Sequence, residues 1–163
     1  MDSRPVTSPR RSGPDSGDRR AAGTIQVRRP IGEVFDYLAD GRHGAAWQSG
    51  VSTSELLRYG GGVGAIYRQA LHDTVLGGRN FEYRVVQHYR PVLLGVEAIG
   101  LAGHPRASFR LEAVRAAATA ITVVVELSGS DFEHLRPEGA VRWRDRLVTS
   151  LPHLKSCLEQ SHP

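Results

Sequence analysis

Ile25-Gln-Val-Arg-Arg-Pro-Ile-Gly-Glu-Val-Phe-Asp-Tyr-Leu-Ala-Asp40 changes its hydrophobic period at Pro30, and that change decides the class of fold. Before the proline, Ile25 and Val27 alternate with polar neighbours, as in a short half-buried strand. Pro30 stands where a helix can begin, because its fixed φ suits the first turn and its missing N–H is not needed there. Ile31, Val34, Phe35 and Leu38 then recur at spacings of three and four, with Glu33 near the positive end of the helix dipole. The spacing predicts a short amphipathic helix that ends by Asp40-Gly41.

Downstream, residues 41–50 hold Trp47 among small and polar neighbours and read as a short second helix or a loop. From Val51 the period becomes two. Strands are predicted at about 51–59, 64–72, 80–89, 92–99, 106–115 and 119–127. Most separators, such as Gly60-Gly61-Gly62, Gly77-Gly78 and Arg90-Pro91, carry turn chemistry, and connections this short force antiparallel neighbours. The chain closes on a helical pattern over 139–160, with Ala140, Trp143, Leu147, Leu151, Leu154 and Leu158 along one stripe. Pro152 should kink or split that helix near Val148 to Leu151. Strand, helix, many strands and a long final helix predict an α+β domain: a curved antiparallel sheet of about seven strands around the C-terminal helix, with one or two short helices after strand 1.

Composition narrows the function classes. A chain of 163 residues with 40% hydrophobic content suits one domain. Residues 1–22 are Ser, Pro, Gly, Asp and Arg with little to bury, so they read as a disordered tail before a domain at 23–163. The net charge of +4 is spread without a basic run, which argues against nucleic-acid binding. No apolar stretch approaches the ~20 residues of a membrane helix, so no membrane insertion is expected. Cys157 is the single cysteine; it fits a reducing, cytoplasmic compartment and reads as a small hydrophobe of the last helix. His104, His134, His153 and His162 have no ligand-like spacing, so neither a metal nor another cofactor is expected.

The opening stretch, followed by Trp47, resembles that of the START-like (SRPBCC) superfamily and its polyketide cyclase/dehydrase branch. Gly61-Gly-Val-Gly64, Val86-Gln-His-Tyr-Arg-Pro91 and Leu151-Pro-His-Leu-Lys-Ser-Cys-Leu-Glu159 extend the resemblance over about residues 24–160. It implies the helix-grip fold and a deep cavity between sheet and C-terminal helix for a small hydrophobic or polyketide-like ligand. It does not imply one activity, because function on a shared fold resides in the site. The paired His and Cys ligands of a Rieske centre are missing from the sequence. Two functions stay open: a cofactor-independent cyclase or dehydratase of bacterial specialised metabolism, and a non-catalytic carrier or sensor of a lipid-like ligand. A monomer or a homodimer is equally compatible.

Alternation nominates the residues that would face such a cavity. Phe81, Tyr83 and Val85 should point inward and Glu82, Arg84 and His88 outward; Ala107, Phe109, Leu111 and Ala113 should point inward, as should Tyr67, Gln69 and Leu71. Ligand-binding candidates are Trp47, Gln69, Phe81, Tyr83, Phe109, Leu147 and Leu151, an apolar lining with a few polar groups to orient a ligand. Tyr67 reads about as well as a core aromatic, and Tyr83 somewhat better as one. Candidate acid/base groups are Tyr67, His72 at a strand end, and Glu97, whose side of its largely apolar strand the period does not resolve. A buried Glu97 would have a raised pKa and become a candidate base.

Overall fold

The structure, a computed structural model, describes residues 19–72, 80–100, 104–127 and 137–160. The tail through residue 18, Asp73, the Gly77-Gly78 turn, His134, His162 and the side chain of Ala140 lie outside the described residues. Seven strands form one antiparallel sheet: β1 (Arg20–Val27), β2 (Val51–Arg58), β3 (Ile66–Leu71), β4 (Asn80–Tyr89), β5 (Leu93–Ile99), β6 (Arg106–Arg115) and β7 (Ala118–Glu126). Their spatial order is β1-β7-β6-β5-β4-β3-β2, so every sequence neighbour from β2 onward is also a spatial neighbour and β1 returns beside the last strand. The helices are α1 (Ile31–Ala39), α2 (Gly44–Trp47) after a 3₁₀ turn at Gly41–His43, α3 (Pro137–Thr149) and α4 (Leu151–Gln160). The curved sheet grips the C-terminal helices on its concave face.

Strand β1 starts at Arg20, inside the stretch assigned to the tail. Its first residues find a backbone partner in β7, from Arg20 opposite Glu126 to Gly23 opposite Val123, and that pairing outweighs their weak apolar pattern. The β2–β3 turn needs glycine: Gly61, Gly62 and Gly64 have φ of 78°, 144° and 95°, where other residues are strained.

Helix α1 buries Val34, Phe35 and Leu38, the stripe read from the sequence. The C-terminal helix splits at Ser150, as Pro152 predicts. Proline is accommodated in the first turn of a new helix, whereas within a continuous helix its ring would meet the carbonyl four residues earlier. Ser150 stitches the break: its hydroxyl donates to the Arg146 carbonyl at 2.7 Å and accepts from the Ser49 N–H at 3.0 Å. The far end of α4 is tied to the β1–α1 corner, where Arg29 Nε donates to the Leu158 carbonyl at 2.7 Å and the Arg28 N–H donates to Glu159 Oε1 at 3.0 Å. Cys157 is half-buried in this helix, with Sγ 3.6 Å from the Ala46 carbonyl.

The alternation assigns most inward residues correctly: Tyr67, Gln69, Leu71, Phe81, Val85, Ala107, Phe109 and Leu111 are all buried. Two assignments are corrected. A bulge between Val85 and Gln87 shifts the register of β4, so His88 turns inward and packs edge-on against Phe35 with ring centroids 5.0 Å apart. Ala113 is exposed, because the β6–β7 hairpin is solvated on both faces over residues 112–117.

Candidate functional site

A cavity lies between the concave face of the sheet and α3. Trp47, Phe81, Phe109, Trp143 and Leu147 give it apolar walls, and Tyr67, Gln69, Tyr83 and Arg146 supply polar atoms. Its volume is about 60 Å³, well below the roughly 300–1,000 Å³ of a drug-sized site, so it takes a compact group. The aromatic rings account for the small size. Trp143 stands edge-on to Phe81 at 4.7 Å, and Trp47 edge-on to Phe109 at 6.1 Å. Arg146 also lines a surface groove of about 510 Å³ with Ser49, His72 and Asp145, and therefore stands where the two spaces adjoin.

The polar wall is built on β3 and β4, where Tyr67 opposes Tyr83 and Gln69 opposes Phe81. The two tyrosine rings stack at 5.3 Å. Gly41 lets them fit: a Cβ there would collide with the Tyr83 hydroxyl and with the Tyr67 ring. The Tyr67 hydroxyl donates to the Ala39 carbonyl over a long 3.4 Å. Burial, and then the neighbouring Tyr67, push the Tyr83 phenol well above its usual range, so it stays protonated and acts as a donor. Gln69 is 1% exposed; its Nε2 donates to Ser54 Oγ at 3.4 Å, and its Oε1 has no partner.

Arg146 enters from α3. Its Nη1 donates to Gln48 Oε1 at 2.8 Å, and the guanidinium carbon lies 5.0 Å from the Trp143 ring centroid and 5.4 Å from that of Phe81. Its Nε is out of contact with solvent and has no hydrogen-bond partner. Desolvation pulls the guanidinium down to about 10, which still leaves it charged at neutral pH.

Three candidates sit elsewhere. Glu97 faces the outer side of the sheet, opposite Arg84 and Arg106 in the ladder, with Arg84 Nη2 at 3.6 Å and Arg106 Nη2 at 3.8 Å. Leu94, Val96 and Ala98 take the cavity side of the same strand, so Glu97 is a structural carboxylate. His72 is exposed in the outer groove, because β3 ends at Leu71 before the chain can turn inward. Leu151 is buried beside Gly23 and belongs to the core outside the cavity wall. Trp47, Tyr67, Gln69, Phe81, Tyr83, Phe109 and Leu147 all meet at the cavity.

The fold has close counterparts among solved structures. The Zhui aromatase/cyclase from Streptomyces sp. R1128 superimposes with a TM-score of 0.67 at 20% identity, over 87% of this chain and 94% of that one. The chain has the helix-grip fold. The di-domain aromatase/cyclase BexL of the BE-7585A pathway matches with a TM-score of 0.63 at 14% identity, over 88% of this chain and 50% of its own length. A protein from Arthrobacter aurescens matches at 0.66 with 14% identity, over 90% of each chain. No family model and no curated protein matches the sequence.

Within this helix-grip domain, Arg146 is the site residue that the sequence reading overlooked. A signal was available, since Arg146 lies three residues after Trp143 and next to Leu147, on the flank of the buried stripe. Arginine at such a flank normally reaches solvent along its stem. Here Trp143 and Phe81 hold the guanidinium against the cavity instead.

Proposed function

We propose that the protein binds a polyketide-like molecule with a compact group in the cavity between sheet and α3 and the remainder in the adjoining groove, and directs its ring closure and dehydration without a cofactor. The observation that carries this is a pocket with mainly apolar walls that Tyr67, Gln69, Tyr83 and Arg146 also line with polar atoms. The shared fold with aromatase/cyclases supports it. Folding a flexible poly-β-ketone into one conformer supplies proximity, and excluding water suppresses competing reactions. In an aldol closure an enol carbon attacks a ketone carbon: a C–C bond forms as the ketone C=O π bond opens, the ketone oxygen takes up a proton, and the enol loses its O–H proton to become a ketone, which restores the donor. Tyr83, held protonated by burial, is the proposed donor to that oxygen, with Tyr67 stacked on it. Loss of the resulting hydroxyl with a neighbouring α-hydrogen, as water, then yields the unsaturated ring.

A second reading, a carrier or sensor of the same ligand class, draws support from the places of His72 and Glu97. Both candidate bases lie away from the cavity. Product analysis separates the two. Incubation with a short poly-β-keto thioester should shift the spontaneous mixture toward one ring-closed product, read by liquid chromatography and mass spectrometry. Binding with an unchanged product mixture makes the protein a carrier, and the absence of binding overturns both.

A further inference from the structure

Two polar atoms in the cavity wall lack a partner, and they are of opposite kind: Arg146 Nε is a donor and Gln69 Oε1 an acceptor. Buried polar atoms are nearly always satisfied, because an unmet one forfeits its hydration without return. Turning the Gln69 amide over does not relieve it. Ser54 Oγ donates its proton to the Gly41 carbonyl at 2.6 Å, so toward Gln69 it can only accept, which assigns Nε2 to Ser54 and leaves Oε1 unpaired.

Arg146 is also a charge without a counterion. Among the described residues no carboxylate lies within 4.0 Å of it. Its compensation is one neutral amide oxygen, from Gln48, and two aromatic faces. The exposed Arg42, Arg68 and Arg90 contrast with it, since each has a carboxylate partner at the surface, where the pair contributes little. A cation whose Nε is buried in an aromatic wall and left without a counterion costs stability that a bound anion returns.

From the proposed small-molecule site we infer that Arg146 and Gln69 form a recognition pair for a ligand bearing a delocalised oxyanion, a carboxylate or the enolate of a 1,3-dicarbonyl, together with an O–H donor. The oxyanion accepts from Arg146 Nε, and the O–H donates to Gln69 Oε1. Because Arg146 lines both the cavity and the outer groove, the charged group sits at the junction, and the rest of the ligand has the groove of about 510 Å³ to extend into. The pair makes the site selective for acidic ligands over their neutral isosteres.

Matched probes test this by calorimetry at neutral pH: 2,4-dihydroxybenzoate against 2,4-dihydroxybenzamide, and 1,3-cyclohexanedione, which as its enolate carries the oxyanion without an O–H and so tests the Arg146 half alone, against its neutral enol ether. Each acid should bind about tenfold or more tighter than its neutral partner, as expected for a charge-assisted hydrogen bond. Binding of the dihydroxybenzoate alone assigns the carboxylate, and binding of the dione alone assigns the enolate. Arg146→Gln should abolish the preference, Arg146→Lys should keep part of it, and Gln69→Leu should weaken acid and amide alike. Arg146→Met should raise the melting temperature of the free protein, because it removes an unpaired charge at nearly unchanged length. Equal affinity for acid and neutral partner in the parent protein overturns the recognition pair and leaves the small-molecule site standing. If no probe binds, the pair and the site fall together. A lower melting temperature for Arg146→Met, with a preference unchanged in Arg146→Gln, makes Arg146 a structural strut and overturns the inference.

Discussion

Gly41 touches the two rings on which the site depends, and its missing side chain is what admits them. Gly41→Ala should therefore cost about 1–3 kcal/mol through overpacking, measured by urea denaturation, and should displace Tyr67 and Tyr83 enough to impair binding. Tyr67→Phe removes a hydroxyl whose bond to the Ala39 carbonyl is long, so stability should fall by no more than about 1 kcal/mol. For a cyclase the same change should slow turnover; for a carrier it should reduce affinity modestly. Glu97→Gln, on the outer face, should leave ligand binding unchanged, and a loss of binding would return Glu97 to the site. Among the described residues three carboxylates add modestly to the acid limb of stability. The Arg90 guanidinium holds Asp36 below its ordinary range, Arg42 does so for Asp40, and the Arg28 backbone N–H leads for Glu159. Each folded-state pKa lies below the unfolded one, so their stabilisation is present above about pH 4 and is lost as pH falls through the carboxylate range. The urea midpoint should drop between about pH 4 and pH 3, and Asp36→Asn should reduce that drop only slightly, because its pair with Arg90 is exposed.

The broken C-terminal helix does two jobs, and the break separates them. Helix α3 carries Trp143, Arg146 and Leu147 to the cavity, whereas α4 buries Leu151, Leu154 and Leu158 against the core and ties its end to Arg28 and Arg29. Leu154→Ala should cost about 2–5 kcal/mol and leave cavity selectivity alone, since Leu154 is fully buried and does not line the cavity. Leu147→Ala should cost a similar amount yet enlarge the cavity, so a bulkier ligand should gain relative affinity. Calorimetric unfolding and a size series of aromatic acids read the two effects separately. Ser150 joins the halves by holding both the Arg146 carbonyl and the Ser49 N–H, which places the guanidinium at the same corner as Trp47 and Gln48.

Among the described residues β1 and β2 are the edge strands of the sheet, and β1 covers the far side of β7. Of two shortened chains, one beginning at Arg19 and one at Gly23, the second should melt several degrees lower, because it loses the pairing of Arg20 to Ala22 with Glu126 to Val124. Equal melting would mean that these residues contribute nothing to the sheet. Much of this architecture was legible in the chain. The change of period at Pro30, the six later strands with their turns, and the split near Pro152 follow from local chemistry: the pleat alternates side chains, glycine takes positive φ, and proline stops a helix that continues through it. The cavity was legible as a wall of alternating residues on β3, β4 and β6. Three things were decided only by tertiary contact. The bulge in β4 turned His88 inward, because register depends on the partner strand. Pairing with Arg84 and Arg106 put Glu97 outside, on a strand apolar on both sides. The docking of α3 on Phe81 and Gln48 made Arg146 a desolvated cation, since the environment of a charge is set by whatever the fold packs around it, and that lies nearly a hundred residues away for Gln48 and more than sixty for Phe81.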